Sequence, residues 1–281
     1  MNSSQNYYTH SGGINPLGII YSIVLGGLAC LLLAIIYAYA TFYVPFIYLN
    51  IIFTIIFGAA VGMAIGLCAN WGKIRNNKAT ITLAVIFAVI AVYFSWVAWL
   101  FAYTDSEYLI LSPLDQWQAM QMIAIDGVWG IRNITPTGIA LYLIWLAEAA
   151  IVIAASYYLC LWATGDVPFC ERCHKWAKTS NSDQKFADIP NKKHLIKQLE
   201  NGDLSAIKNL STEIEDPSAY TQIGLTKCPS CSQDSYLTVK YCSITTDKDG
   251  KDNLSALNIV ENLIISSADH RELEQKINAA T

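Results

Sequence analysis

The chain has 281 residues, 54% of them hydrophobic and 14% charged, with a formal net charge of -4. A charged fraction about half that of an ordinary soluble domain calls for lipid, and Lys and Arg interspersed with acids argue against a nucleic-acid module, which needs a clustered basic face to displace phosphate counterions. A secreted disulfide scaffold is also excluded, because three of the eight cysteines, Cys30, Cys68 and Cys160, lie inside apolar runs as small hydrophobes.

Residues 1–16, "MNSSQNYYTHSGGINP", contain no Lys or Arg, so they do not read as the basic start of a cleavable signal peptide. They predict a disordered tail. Four apolar runs follow, at roughly 17–40, 46–69, 79–103 and 138–162, each long enough to cross about 30 Å of hydrocarbon at ~1.5 Å per residue. The sequence thus predicts an α-helical membrane protein with a four-helix transmembrane domain over 17–163. In the second run, Gly58, Gly62 and Gly66 recur every fourth residue. Such a stripe lets another helix approach closely, either inside the bundle or across the seam of a homo-oligomer.

The loop after the second run, "WGKIRNNK", carries Lys73, Arg75 and Lys78, and Arg172, Lys175 and Lys178 follow the fourth run. The loop between the third and fourth runs sets Arg132 against Asp105, Glu107, Asp115 and Asp126. Basic short loops face the cytosol, which puts both termini on the cytosolic side of the cell (inner) membrane. Trp71, Trp96, Trp99, Tyr103 and Trp162 fall near the ends of the runs, as interfacial aromatics do, although Trp96 and Trp99 suit helix packing equally well.

Between the third and fourth runs, Ser112 reads as an N-cap, Pro113 as the first helical residue and Gly127 as the stop, giving a loop helix over about 113–126. Leu114, Trp117, Met120 and Ala124 fall near one face of it, which suits a helix lying on the outer interface or capping the bundle. Glu148 stands well inside the fourth run in "IWLAEAAIV", where an ionised carboxylate costs several kcal/mol unless protonated, paired or hydrated. Asn50, Thr54 and Ser95 on other runs are candidate hydrogen-bond partners. A buried acid of this kind is the one residue here that a channel or proton-linked transporter would use.

Beyond Trp162 the composition turns polar, marking a second domain over 164–281. It contains "FCERCH" and "KCPSC", so Cys170/Cys173 and Cys228/Cys231 form two C-x-x-C pairs. Two such pairs supply the four thiolates of a closed, structural zinc site. The rivals are a dithiol redox pair and a c-type haem tether on Cys170, Cys173 and His174. The first lacks a thioredoxin-like context; the second is an extracytoplasmic modification, at odds with the orientation above. Between the pairs, about 179–226 reads as a helical insertion with two short helices, in "NKKHLIKQLENGD" and "LSAIKNL". After the second pair, "YLTVKYCSITT" and "LNIVENLIIS" flank the turn "DKDGK" as two strands, with Cys242 a packing residue, and a helix over about 267–278 ends the chain.

These segments, "FCERC", "KCPSC", "YLTVKYCSIT", "DKDGK" and "NIVENLIIS", resemble the zinc-ribbon tail of uncharacterised bacterial multi-pass membrane proteins. The resemblance implies a small α+β zinc-ribbon domain and no reaction. No P-loop, G-x-S-x-G or H-E-x-x-H motif occurs. The reading is therefore a non-enzymatic membrane protein whose cytosolic ribbon binds an unidentified cytosolic or membrane protein.

Overall fold

The structure, a computed structural model, describes residues 6–44, 46–128, 130, 135–181, 184–214, 216–231, 233–248 and 250–279. Arg132 lies outside these. The chain forms two compact units: one runs from Ser11 to Gly165, and the other joins the residues up to His10 to those from Asp166 onward.

The first unit is helical. Helix α1 (Pro16–Tyr21) passes through a single π-helical segment, Ser22–Gly26, into α2 (Gly27–Tyr43). It is followed by α3 (Ile47–Trp71), α4 (Asn77–Tyr103), the short α5 (Pro113–Asp126) and α6 (Gly138–Thr164). Polar side chains mark the starts: Asn15 Oδ1 accepts from Leu17 N, Asn76 Oδ1 from Ala79 N, and Ser112 Oγ from Asp115 N, satisfying amides that the first turn leaves without partners. Four of the rods, Pro16–Tyr43, Tyr48–Trp71, Asn77–Tyr103 and Gly138–Thr164, are long and apolar enough to cross a membrane. Their outward faces carry bare aliphatic side chains such as Ile36, Ile139 and Leu146, the kind of surface a hydrocarbon solvent covers.

Inside the bundle the packing is built from small residues. Ala34, Ala84, Ala88, Ala91, Cys30 and Cys160 are almost fully buried beside Val61, Ile65 and Val152. The glycine stripe of α3 faces α6. A Cβ at Gly58 would stand 2.5 Å from the Val152 carbonyl oxygen, one at Gly66 2.7 Å from Ala163 Cβ, and one at Gly62 would collide with the Ser156 carbonyl. Helix α6 therefore seats on bare backbone, and Ser156 continues across it to donate to the Ala84 carbonyl (3.3 Å).

The basic turn between α3 and α4 holds the chain entry. Arg75 N donates to Gly13 O (2.9 Å), its Nε to Ser11 Oγ (3.2 Å), and Asn76 Nδ2 to Gly12 O (3.3 Å). Residues 11–13 thus lie at the same end of the bundle as Lys73 and Arg75.

The second unit is α+β. A two-stranded hairpin, β1 (Phe169–Cys170) and β2 (Lys175–Trp176), leads into a four-stranded antiparallel sheet of order β3-β4-β5-β6. Its elements are β3 (Lys178–Asn181), α7 (Lys192–Glu200), α8 (Ser205–Lys208), β4 (Ala219–Lys227), β5 (Ser235–Thr246), β6 (Asp252–Ile265) and α9 (Ser267–Ala279). Alternate strand residues Ile223, Leu225, Leu237, Val239, Val260, Leu263 and Ile265 meet Leu195, Leu199, Ile207 and Leu273 of the helices in one core, as a one-sided sheet requires.

Two expectations change here. The segment over 179–226 contains both short helices, but it is bounded by strands: Lys178 to Asn181 pairs with Lys227 to Gly224. "AYTQIGLTK" alternates Ile223 and Leu225 inward, and its pairing with a segment some forty residues earlier left no local signature. The tail over 1–16 is not a free one for residues 6 onward. Tyr7 bridges Leu263 antiparallel, Tyr8 N donates to Asn262 O (2.9 Å) and Ile264 N to Asn6 O (2.8 Å). This short strand covers part of an edge that would otherwise expose backbone, and Tyr7 packs on the core. Residues 1–5 lie outside those described.

Candidate metal centre

The two C-x-x-C pairs sit at turns that the sheet brings together. In the first, Cys170 ends β1 and the chain reverses through Cys173 and His174 into β2, with Phe169 opposite Trp176 and Cys170 opposite Lys175. His174 takes a positive φ of 51°. Phe169 lies edge-on to Trp176 at 4.9 Å, and its N–H donates to the Tyr8 hydroxyl (3.0 Å). In the second, Cys228 follows the last residue of β4 and Cys231 precedes β5, the pair Lys227–Ser235 closing the ladder between them. Cys228 N donates to Asp234 O (3.1 Å), and Ser230 N to Cys228 Sγ (3.5 Å). Lys175 Nζ reaches Ser230 Oγ (2.9 Å) and Arg172 reaches Gln233, linking one turn to the other.

The result is that the Sγ atoms of Cys170, Cys173, Cys228 and Cys231 all lie within 4.8 Å of one another, with Cys170 Sγ 3.8 Å from Cys231 Sγ. A tetrahedron with metal–sulfur bonds of ~2.3 Å has edges of ~3.8 Å, so four thiolates at this spacing fit one ion. Burial pushes the Cys170 thiol well above its ordinary range. At Cys228 burial, the largest single influence, acts in the same upward direction, but backbone N–H groups of Cys231 and Ser230 together with hydrogen bonds from the Cys170 and Cys231 thiols outweigh it and bring the thiol down to about 7. A thiol that ionises near neutrality is prepared to become a ligand. His174 is exposed and is not among the clustered ligands. Cys242 is buried in β5 and directs its sulfur toward Gln222 Oε1 (3.6 Å).

Glu148 is placed differently. It is half-buried in α6 and lines a cavity of about 330 Å³ in the bundle together with Tyr37, Asn50, Ser95, Trp96, Trp99 and Trp145. Of the partners suggested by its depth, Thr54 and Ser95 are engaged elsewhere, whereas Asn50 Oδ1 is buried without a hydrogen-bond partner. Thr54 Oγ1 donates to Asn50 O (2.7 Å) and lies 3.0 Å from the Tyr37 hydroxyl, and Ser95 Oγ donates to Val92 O (2.8 Å). Sequence reasoning passed over Tyr37 and Trp145 as wall residues. The available signal was the i, i+3 spacing of Trp145 with Glu148 and of Trp96 with Trp99, which stacks each pair on one helix face.

No protein-family model, curated protein or solved structure matches this chain.

Proposed function

We propose that this is a multi-pass protein of a bacterial inner membrane, both termini cytosolic, whose C-terminal domain is a zinc ribbon acting as a protein-binding or regulatory module. Zinc would be held by Cys170, Cys173, Cys228 and Cys231. When bound it supplies cross-linking of two turns and no open coordination position, hence structure rather than catalysis.

The observation that carries the binding role is the outer edge of β6. The β5–β6 hairpin runs beyond the core, with Leu254 and Leu257 61% and 63% exposed at its far end. Among the described residues, only the short stretch at Tyr7–Leu263 pairs with the far side of β6. An open strand edge flanked by bare leucines is the geometry that accepts an added strand from a partner.

The test combines metal and partner. The full chain, purified from membranes, should carry about one zinc per molecule, and a photo-crosslinker at Leu257 should trap a specific band. Leu254→Asp should abolish that band while leaving the zinc in place. A band that survives this substitution, or protein without stoichiometric metal, would refute the reading.

A further inference from the structure

The bundle cavity has a chemistry the ribbon does not explain. Its wall is aromatic: Trp96 packs against Trp145 at 5.0 Å and Trp99 at 5.9 Å, and Trp99 stacks on Tyr103 at 5.2 Å. Within this wall, among the described residues, stands one acid, Glu148, and no Lys, Arg or His lines the cavity. Among the described residues the Glu148 carboxylate has neither an ion pair nor a hydrogen bond. A second lining group points the same way. Asn50 Oδ1 is buried without a hydrogen-bond partner, an acceptor whose desolvation nothing among the described residues repays.

Two acceptors lacking donors, one of them a carboxyl group, inside a box of indole and phenol rings define a complement: a positively charged group that prefers aromatic surroundings to bulk hydration. Alkylammonium groups meet that description, since aromatic rings within about 6 Å attract them through the ring quadrupole. An alkali ion would want a shell of oxygens instead. The volume, about 330 Å³, falls at the lower end of small-molecule sites. The lining positions fix the cavity's place along the bundle. Ser95, Trp96, Trp99 and Tyr103 belong to the last third of α4, and Trp145 and Glu148 to the first half of α6. The cavity therefore lies toward the end of the bundle where α5 connects those two helices.

We propose that this cavity is a binding site for an organic ammonium cation, with Glu148 as counter-ion, Trp96, Trp99 and Trp145 as the cation–π wall, and Asn50 Oδ1 as acceptor for an N–H or hydroxyl group on the ligand. The site is independent of the metal centre and of any partner on β6.

The full chain in a maltoside detergent is titrated with choline and tetraethylammonium, following tryptophan fluorescence and calorimetric heat. Choline is compared with its neutral isostere 3,3-dimethylbutan-1-ol. Saturable binding of at least one ammonium, with choline or its tetraalkyl analogue at least tenfold tighter than the neutral alcohol, is expected. Glu148→Gln should weaken the ammonium at least tenfold without changing the response to the alcohol. Equal binding of cation and isostere, an unchanged affinity in Glu148→Gln, or no saturable binding by folded wild-type protein would each overturn the proposal. The isostere comparison needs no variant, so it stands even if Glu148→Gln fails to fold. Repeating the titration in nanodiscs of phosphatidylcholine and of phosphatidylglycerol separates two sources of the same chemistry. Competition only in the former identifies a lipid headgroup, and equal affinity in both a free cation.

Discussion

His174 closes the first C-x-x-C turn at φ 51°, a left-handed conformation that costs a non-glycine residue ~1–2 kcal/mol. Its side chain is exposed and is not among the clustered ligands. The histidine that makes "FCERCH" look like a haem motif is thus, in the fold, a turn residue in a conformation that suits glycine. His174→Gly should therefore retain stoichiometric metal and melt at the same temperature or slightly higher, since relief of strain outweighs glycine's own entropic cost of ~0.5–1 kcal/mol. Loss of metal from that variant, measured by elemental analysis, would make His174 a ligand after all. At this scale the sequence was readable where chemistry is contiguous. Two C-x-x-C pairs announce four thiolates by spacing alone. Glu148 announced only its depth, because the aromatic walls that give it a context come from three different helices, α2, α4 and α6, and converge only in three dimensions.

Helix α9 docks through charges that no periodicity reveals. Lys276 Nζ donates to three carbonyls around the end of α8, those of Ile207 (3.2 Å), Lys208 (2.5 Å) and Leu210 (2.7 Å). Lys208 in turn pairs with Asp269 and Glu272, both at 2.7 Å. The Lys208 pairs are partly solvated and contribute little, but the Lys276 ammonium gives a charged donor to three carbonyls at and just beyond the end of α8. Lys276→Met keeps the stem and removes the donors, so it should destabilise the domain by ~1–3 kcal/mol, read as a lowered midpoint in urea.

The same helix carries an acid-sensitive element. His270 is 3% exposed, its Nε2 lacks a partner, and burial depresses its pKa below the ordinary 6.5, with Lys227 adding to that against the opposing pull of Glu274. A depressed pKa means that the unfolded chain binds the proton first. Stability is then full above about 6.5 and falls as pH drops through the folded-state value. Asp269 and Glu274, held low by hydrogen bonds from Lys208 and Lys227, lose their contribution only further down, below the usual carboxylate range. Between pH 6.5 and 5 the melting temperature of wild type should decline and that of His270→Gln should decline less. Parallel curves would remove His270 from the acid response. Helices α7 and α8 were legible from caps and apolar spacing, and β5 and β6 from β-branched runs about a turn. Strand β4, with Thr, Gln and Gly interleaved, took its identity from its partners.

For the molecule as a whole, the decisive quantity is sidedness, and three observations bear on it together. Four rods long and apolar enough to span, an even number, would return the chain to the side it started from. Arg75 fastens residues 11–13 to the turn that carries Lys73, so the beginning of the chain and that basic loop share one end of the bundle. The acidic connection containing Asp105 and Glu107 lies at the other. Since basic short loops stay cytosolic, the C-terminal domain should be inside. The native cysteines make this measurable with little background: Cys30, Cys68, Cys160 and Cys242 are at most 5% exposed, and the remaining four are grouped as candidate metal ligands. A single cysteine introduced at Glu107 should react with a membrane-impermeant maleimide in intact cells, whereas one at Asn253, on the exposed β6 arm, should react only after the membrane is opened. The opposite pattern would place the four thiolates in an oxidising compartment, where disulfides or haem attachment compete with zinc, and would put the end of the bundle that holds the aromatic cavity on the cytosolic side.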